Sequence, residues 1–243
     1  MKKLFLLMMA AVSLAPAAFA KYETDNEDGG FGIKGGVGLS TIYFKDQDDN
    51  FKDLKTKINV AGFLDLSYEI RLHKVFALEP GVVVAVKGAK RELVVPISED
   101  KIKFTTNLQT VDIPLHLKFY IGDHFNIYTG PYVSFITSAF GRYVRRDKDG
   151  KKLEDETGVN IMKDKYKDVD GNRPYKRVDA GINLGLEFVT KKGFIVGGRV
   201  NQGFIDLTND DYKGYIGSDA FIFPGDGKWA GNTAFQVYIG GRF

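Results

Sequence analysis

From Phe31 to Phe243 the apolar residues of this chain recur with a period of two, not 3.6, which commits the chain to strands. Eight segments carry the pattern. The second is the cleanest: Ile58, Val60, Gly62, Leu64, Leu66, Tyr68 and Ile70 alternate with Lys57, Asn59, Asp65, Ser67 and Glu69. The fourth sets Val111, Ile113, Leu115, Leu117 and Phe119 against Asp112, His116, Lys118 and Tyr120. The sixth sets Val178, Ala180, Ile182, Leu184, Leu186 and Phe188 against Asp179, Asn183 and Glu187. The fifth, about 125–140, is the least regular, because aromatic residues occupy both of its faces. Long helical stretches are absent.

The connections alternate as regularly as the segments. Residues 71–74, 122–124 and 190–193 form short links, whereas 45–56, 88–103, 141–175 and 206–232 form long polar ones. Tight turns at one end and long loops at the other describe an up-and-down antiparallel barrel. They also match outer-membrane barrels, whose periplasmic turns are short and whose external loops are long. An even strand number leaves both ends of the barrel on the periplasmic side, and segments of about ten residues suit tilted strands crossing the hydrocarbon layer. Val94 to Ile97 or Phe221 to Phe223 could pair as extra strands above the membrane, so a ten-strand variant stays open.

The first twenty residues have the form of a cleaved signal peptide. Lys2 and Lys3 precede an apolar run from Leu4 to Leu14, and Ala18-Phe19-Ala20 supplies a small-residue cleavage site. Their removal takes two lysines with it, so the remaining 223 residues carry a net charge of +1. That is too little to suggest a nucleic-acid partner. The absence of Cys excludes a disulfide scaffold, a thiolate zinc site and a Cys-linked lipid anchor. No run of 18 apolar residues is available for a transmembrane helix. The expected organisation is a signal peptide over 1–20, a short periplasmic segment over 21–30 and the barrel over 31–243.

The direction of the two faces separates a membrane barrel from a soluble carrier. The apolar faces are long and branched, and Tyr68, Phe119, Phe188, Phe194 and Phe243 fall beside the short turns, where an interfacial aromatic girdle belongs. The opposite face mixes charge with small residues: Gly32, Gly36, Gly38, Ala61, Gly181, Gly185 and Gly240 let strands crowd around a narrow lumen. This predicts an all-β, eight-stranded, antiparallel transmembrane barrel with a polar interior. Near its periplasmic end the lumen holds Lys34, Lys118 and Arg242 with Glu69, Glu79 and Glu187. Unpaired buried charge is costly, so these six are expected to pair into a plug with little or no conductance.

Several short motifs, in order, resemble small outer-membrane barrels of Bacteroidetes-type bacteria, the porin-family or PorT-like beta-barrel domain. They are Gly32-Ile33-Lys34-Gly35-Gly36-Val37-Gly38-Leu39-Ser40, Val111-Asp112-Ile113-Pro114-Leu115-His116-Leu117-Lys118-Phe119, Tyr128-Thr129-Gly130-Pro131-Tyr132-Val133 and Val178-Asp179-Ala180-Gly181. The resemblance spans nearly all of the chain after residue 20. It implies an outer-membrane location in a Gram-negative bacterium and a barrel of about eight strands, but no agreed activity. It also makes Phe243 resemble a C-terminal signal read by the barrel-assembly machinery, a partner during biogenesis.

Candidate chemistry is sparse. Asp112, His116 and Ser134 share the lumen face and could assemble a hydrolase-like cluster, and some small outer-membrane barrels are lipid A enzymes. A mid-membrane site closed off from the lipid argues against that role, so His116 is assigned to hydrogen bonding inside the plug. Asp46, Asp48, Asp49 and Asp53, and Asp164, Asp168 and Asp170, lack EF-hand spacing. The pairs Asp149-Gly150, Asp170-Gly171 and Asp226-Gly227 read as turns. No catalytic, cofactor or metal residue is assigned. Arg145, Arg146, Lys148, Lys151 and Lys152 read first as a solvated charged loop and second as contacts to lipopolysaccharide phosphates. Tyr143, Tyr166, Tyr175, Tyr212, Tyr215, Phe221, Phe223 and Trp229 lie on or beside the external loops and mark contact surface or outer girdle. The expected function is noncatalytic: a structural or surface-interaction barrel whose external loops meet lipid, lipopolysaccharide, a surface protein or a glycan. The alternatives are a lipid A-modifying enzyme and a narrow passive pore.

Overall fold

The computed structural model describes residues 29–45, 55–94, 100–160, 172, 176–207, 209, 211 and 229–243. These contain β1 (Gly30–Lys45), β2 (Lys55–Arg71), β3 (Phe76–Val94), β4 (Lys101–Ile121) and β5 (Phe125–Arg146). They continue with β6 (Lys152–Asn160), β7 (Val178–Val189), β8 (Phe194–Gly203) and β9 (Trp229–Arg242). Eight strands close a ring in the order β1-β2-β3-β4-β5-β7-β8-β9, every neighbour antiparallel. Closure runs between β1 and β9, from Gly32 opposite Arg242 to Lys45 opposite Trp229. At the bottom of that seam Phe243 N–H donates to the Phe31 carbonyl at 2.8 Å, and Phe31 N–H donates back at 3.0 Å. A closed ring has no hydrogen-bonding edge to expose to hydrocarbon.

The short links lie where the alternation breaks. Gly122 and Gly193 take positive φ of 67° and 79° in the turns after β4 and β7, which glycine adopts without a Cβ clash. The long links are shorter than the sequence suggested. Residues 88–94 and 101–103, expected as loop, are strand, and β4 and β5 reach 21 and 22 residues. The expected loop over 141–175 is likewise part strand: β5 runs on to Arg146, and β6 folds back on it through a turn in which Gly150 has φ 84°. Asp147 caps that turn by accepting the Lys151 N–H at 2.8 Å. The barrel is therefore eight-stranded, and among the described residues one additional strand, β6, lies outside the ring. Neither segment thought capable of adding strands is that strand. Val94 ends β3 opposite Lys101. Residues 95–97 and 221–223, together with 1–28 and both acidic clusters, lie outside the described residues.

Polarity is inverted relative to a water-soluble protein. Leu66, Ile113, Leu115, Leu117, Leu184, Val196 and Val237 stand exposed around the outer wall, while Lys34, Glu69, Glu79, Lys118, Glu187 and Arg199 are buried. Tyr68, Phe76, Phe119 and Phe188 are exposed near the short turns. Phe76 and Phe119 pack edge to face across β3 and β4 with ring centroids 5.3 Å apart. At the long-strand end the interior turns apolar: Ile42, Ile102, Phe104, Leu108, Ile136 and Leu207 form one buried cluster, against which Tyr143 packs. Leu115 sits mid-strand on the outer wall of β4. Leu115→Arg should therefore lower folding stability in lipid vesicles by about 2–4 kcal/mol, and Leu72→Arg in the first short turn by about 0–1 kcal/mol. Urea unfolding followed by tryptophan fluorescence or gel mobility measures both.

Candidate functional site

Alternation sends one side chain of each adjacent pair inward, and the register of the ring decides which inward groups meet. Lys34 of β1 lies 2.6 Å from Glu79 of β3 and 2.8 Å from Glu187 of β7. Lys118 of β4 reaches three carboxylates: Glu187 at 2.7 Å, Glu69 at 3.1 Å, and Glu79. Arg242 of β9 contacts Glu69 at 2.5 Å, and Arg71 approaches the same carboxylate at 2.9 Å. The six charged residues expected in the lumen are all buried and belong to one network. Tyrosines bind into it. Tyr120 donates to Glu69 at 2.6–2.7 Å, Tyr238 to Glu187 at 3.0 Å, and the Tyr128 and Tyr238 hydroxyls are 2.8 Å apart.

Glycines make room for those rings. A Cβ on Gly185 would fall on the Tyr128 ring, 2.7 Å from one edge carbon, and one on Gly197 would come within 2.6 Å of the Tyr238 hydroxyl. The small residues read from the sequence thus serve to admit large polar side chains as well as close strand approach.

A second set of contacts continues the interior away from the short turns. Arg199 pairs with Asp65 at 2.8 Å and donates to Gln236 at 2.7 Å, its guanidinium 4.1 Å over the Phe63 ring. Lys87 pairs with Asp112 at 2.8 Å and donates to Asn201 at 3.2 Å. Asn201 donates to Asn183 at 2.7 Å, and Asn183 lies 2.9 Å from His116 Nε2. His116 Nδ1 is 3.4 Å from Glu79, which joins this chain to the first network. Tyr132 donates to Asp179 at 3.2 Å. Alternation puts Asp65 and Asp112 on the polar face but does not reveal their partners, Arg199 and Lys87. The pairs join β2 to β8 and β3 to β4, and the stagger that fixes such matches is not written in alternation.

The hydrolase-like cluster does not assemble as a relay. Ser134 donates to Asp112 at 2.5 Å, but the other Asp112 oxygen is held by Lys87. Both His116 ring nitrogens are engaged elsewhere, by Glu79 and Asn183, and its ring lies tilted against Tyr128 with centroids 4.7 Å apart. A base withheld from the hydroxyl cannot activate it.

Above the membrane-facing wall the loop bases find carboxylates. Arg145 binds Asp100 at 2.7 Å, Arg142 binds Asp155 at 3.2 Å, and Lys57 and Lys152 bond Glu92 and Asp155. The Lys57 hydrogen bond holds the Glu92 carboxyl below its ordinary range. Arg146 donates to the Gly150 carbonyl at 3.0 Å, while Lys148 and Lys151 sit exposed in the turn. Of the loop aromatics, Tyr143 turns inward, its ring 5.4 Å from Phe104, and Trp229 opens β9 opposite Lys45. Tyr166, Tyr175, Tyr212, Tyr215, Phe221 and Phe223 lie outside the described residues.

Removing one member of a buried ionic network strands the others. Lys118→Met should cost about 3–5 kcal/mol in equilibrium unfolding. The double variant Lys118→Met/Glu187→Gln should recover part of that loss, because it removes charge of both signs.

No curated protein sequence matches the chain. Among solved structures, Ail of Yersinia pestis, crystallised with the heparin analogue sucrose octasulfate, is 12% identical with a TM-score of 0.39, covering 89% of this chain and 99% of its own. Neisserial surface protein A is 8% identical with a TM-score of 0.42, covering 88% and 97%. OprG of Pseudomonas aeruginosa is 13% identical with a TM-score of 0.36, covering 88% and 94%. Residues 23–209 match the outer membrane protein beta-barrel domain, and the chain belongs to that family of Gram-negative outer-membrane proteins.

Proposed function

We propose that this protein is a noncatalytic outer-membrane barrel whose lumen is closed by its own side chains and whose external surface carries its interactions. The ionic network of Lys34, Lys118 and Arg242 with Glu69, Glu79 and Glu187 carries this reading. An eight-stranded interior is just wide enough for side chains to fill. These groups meet from β1, β2, β3, β4, β7 and β9, on both sides of the lumen. A hydrated ion could pass only by separating pairs whose loss costs several kcal/mol each. The reading is supported further by the apolar cluster around Phe104 and Leu108, which adds a second barrier at the long-strand end. The engagement of His116 by Glu79 and Asn183, away from the Ser134–Asp112 pair, supports a noncatalytic role.

In this reading the barrel is a rigid support for its external elements, which meet lipid, a surface protein or a glycan. Purified protein in planar bilayers should show no large, stable openings. The charge-balanced variant Glu79→Ala/Lys118→Ala should admit small cation or anion currents, because it opens space without stranding one sign. Frequent large openings by the unmodified protein would overturn the closed-lumen reading. Envelope and binding phenotypes that survive deletion of 212–228 and shortening of 161–175 would overturn the surface role.

A further inference from the structure

The long strands leave an outward-facing sector of positive charge just above the apolar wall. On β4, Ile102 and Phe104 are buried inside, so the alternating Lys101 and Lys103 face out. Register then assigns the same outer face to Arg146 and Arg142 of β5, opposite Lys101 and Thr105. On β3, Lys90 is exposed between the buried Ala89 and Arg91. Lys57 of β2 and Lys152 of β6 join this face through their bonds to Glu92 and Asp155. Among residues with described side chains the face therefore carries seven bases, Lys57, Lys90, Lys101, Lys103, Arg142, Arg146 and Lys152. Against them stand two acids, an excess of five positive charges.

Both acids are already occupied. Glu92 lies between Lys57 and Lys103, the latter at 3.8 Å, and Asp155 between Arg142 and Lys152. On β8 and β9 the corresponding ends carry Gln202 and Thr233, which hydrogen-bond each other at 2.8 Å. The charge thus belongs to the β2–β6 sector.

We propose that this sector binds the phosphate groups of the outer-leaflet lipid headgroup. Three features select a lipid over a soluble anion. The side chains project sideways from the strand face, parallel to the membrane, and so meet the headgroup layer before the external solution. The sector is continuous with the lipid-facing wall: the exposed Ile58 adjoins Lys57, and Phe140 precedes Arg142 by two residues. Long Lys and Arg stems lie along apolar surface while their heads reach polar groups. Arg forks take phosphate through paired hydrogen bonds and Lys heads add point charge. Strands about 4.8 Å apart present these groups as an array wide enough for more than one phosphate. This deepens the surface-interaction part of the proposed function and rests on it. The closed lumen is independent.

The test uses full-length barrel in detergent and bisphosphorylated lipid A, with the phosphate-free form of the same acyl composition as comparison. Lys90→Gln/Lys101→Gln/Arg146→Gln leaves both acid-bridging sets intact, and heat-dependent gel mobility verifies that it folds. Native mass spectrometry should find bisphosphorylated lipid A bound to the unmodified protein, with affinity at least about tenfold lower in the triple variant and weakened by salt. The phosphate-free lipid should bind both proteins equally weakly. Equal binding of bisphosphorylated lipid A by variant and unmodified protein would overturn the proposal. So would capture of a soluble sulfated polysaccharide with no preference for lipid phosphate. A barrel lacking 212–228 should keep its lipid A binding. If it keeps every surface phenotype as well, the loop-based role fails while this site stands.

Discussion

Charge can be kept inside a membrane barrel only if it neutralises itself there. Hydrocarbon surrounds the wall and offers no hydrogen bond, so each inward ionic group must find its partner across the lumen. Here Lys118 is the clearest case. One ammonium, buried to 1% exposure, is shared among Glu69, Glu79 and Glu187, and those carboxylates are shared in turn with Lys34 and Arg242. Apart from the Arg71 contact that Glu69 makes within β2, the ion pairs of these groups join different strands. The network therefore ties the register of six strands together, and a slip of one strand by a residue would turn its charges toward lipid.

The interior follows a gradient consistent with that constraint. Charge is densest beside the short turns, where β1 and β9 close the ring. An amide and histidine chain through His116, Asn183 and Asn201 follows, and the apolar cluster around Phe104 fills the far end. Tyrosines supply both volume and polarity in the densest zone. Tyr128 and Tyr238 lie over Gly185 and Gly197, where any Cβ would intrude, so interior packing is met by pairing the largest polar rings with the smallest residues.

Much of this was legible in the sequence because alternation, turn chemistry and lipid exposure all read locally. The eight ring strands, their three short turns and the six lumen charges follow from the period of two and from which face holds Lys34, Glu69 and Lys118. What escaped depends on non-local geometry or on weak local contrast. The outer halves of β3, β4 and β5 carry charge on one face and mixed residues on the other, so Lys101 to Lys103 looked like loop. The strand β6 reads Lys152-Leu153-Glu154-Asp155-Glu156, with no apolar face to announce it. The pairing of Asp65 with Arg199, 134 residues apart, is set by ring closure and stagger. The same geometry diverts His116 to Glu79 and Asn183, away from the Ser134 that sequence placed on its face.

A lumen closed by its own side chains must be packed and dry. The chain has no Cys, so a single introduced thiol reports on one site alone. Ser134→Cys places that thiol at a buried inward position midway up β5, and Lys148→Cys places it in the exposed β5–β6 turn as a reference. Labelling of the reconstituted barrel with a small, charged, membrane-impermeant thiol reagent should be rapid at position 148 and orders of magnitude slower at 134. Comparable rates at the two positions would mean a water-filled lumen and would contradict the account.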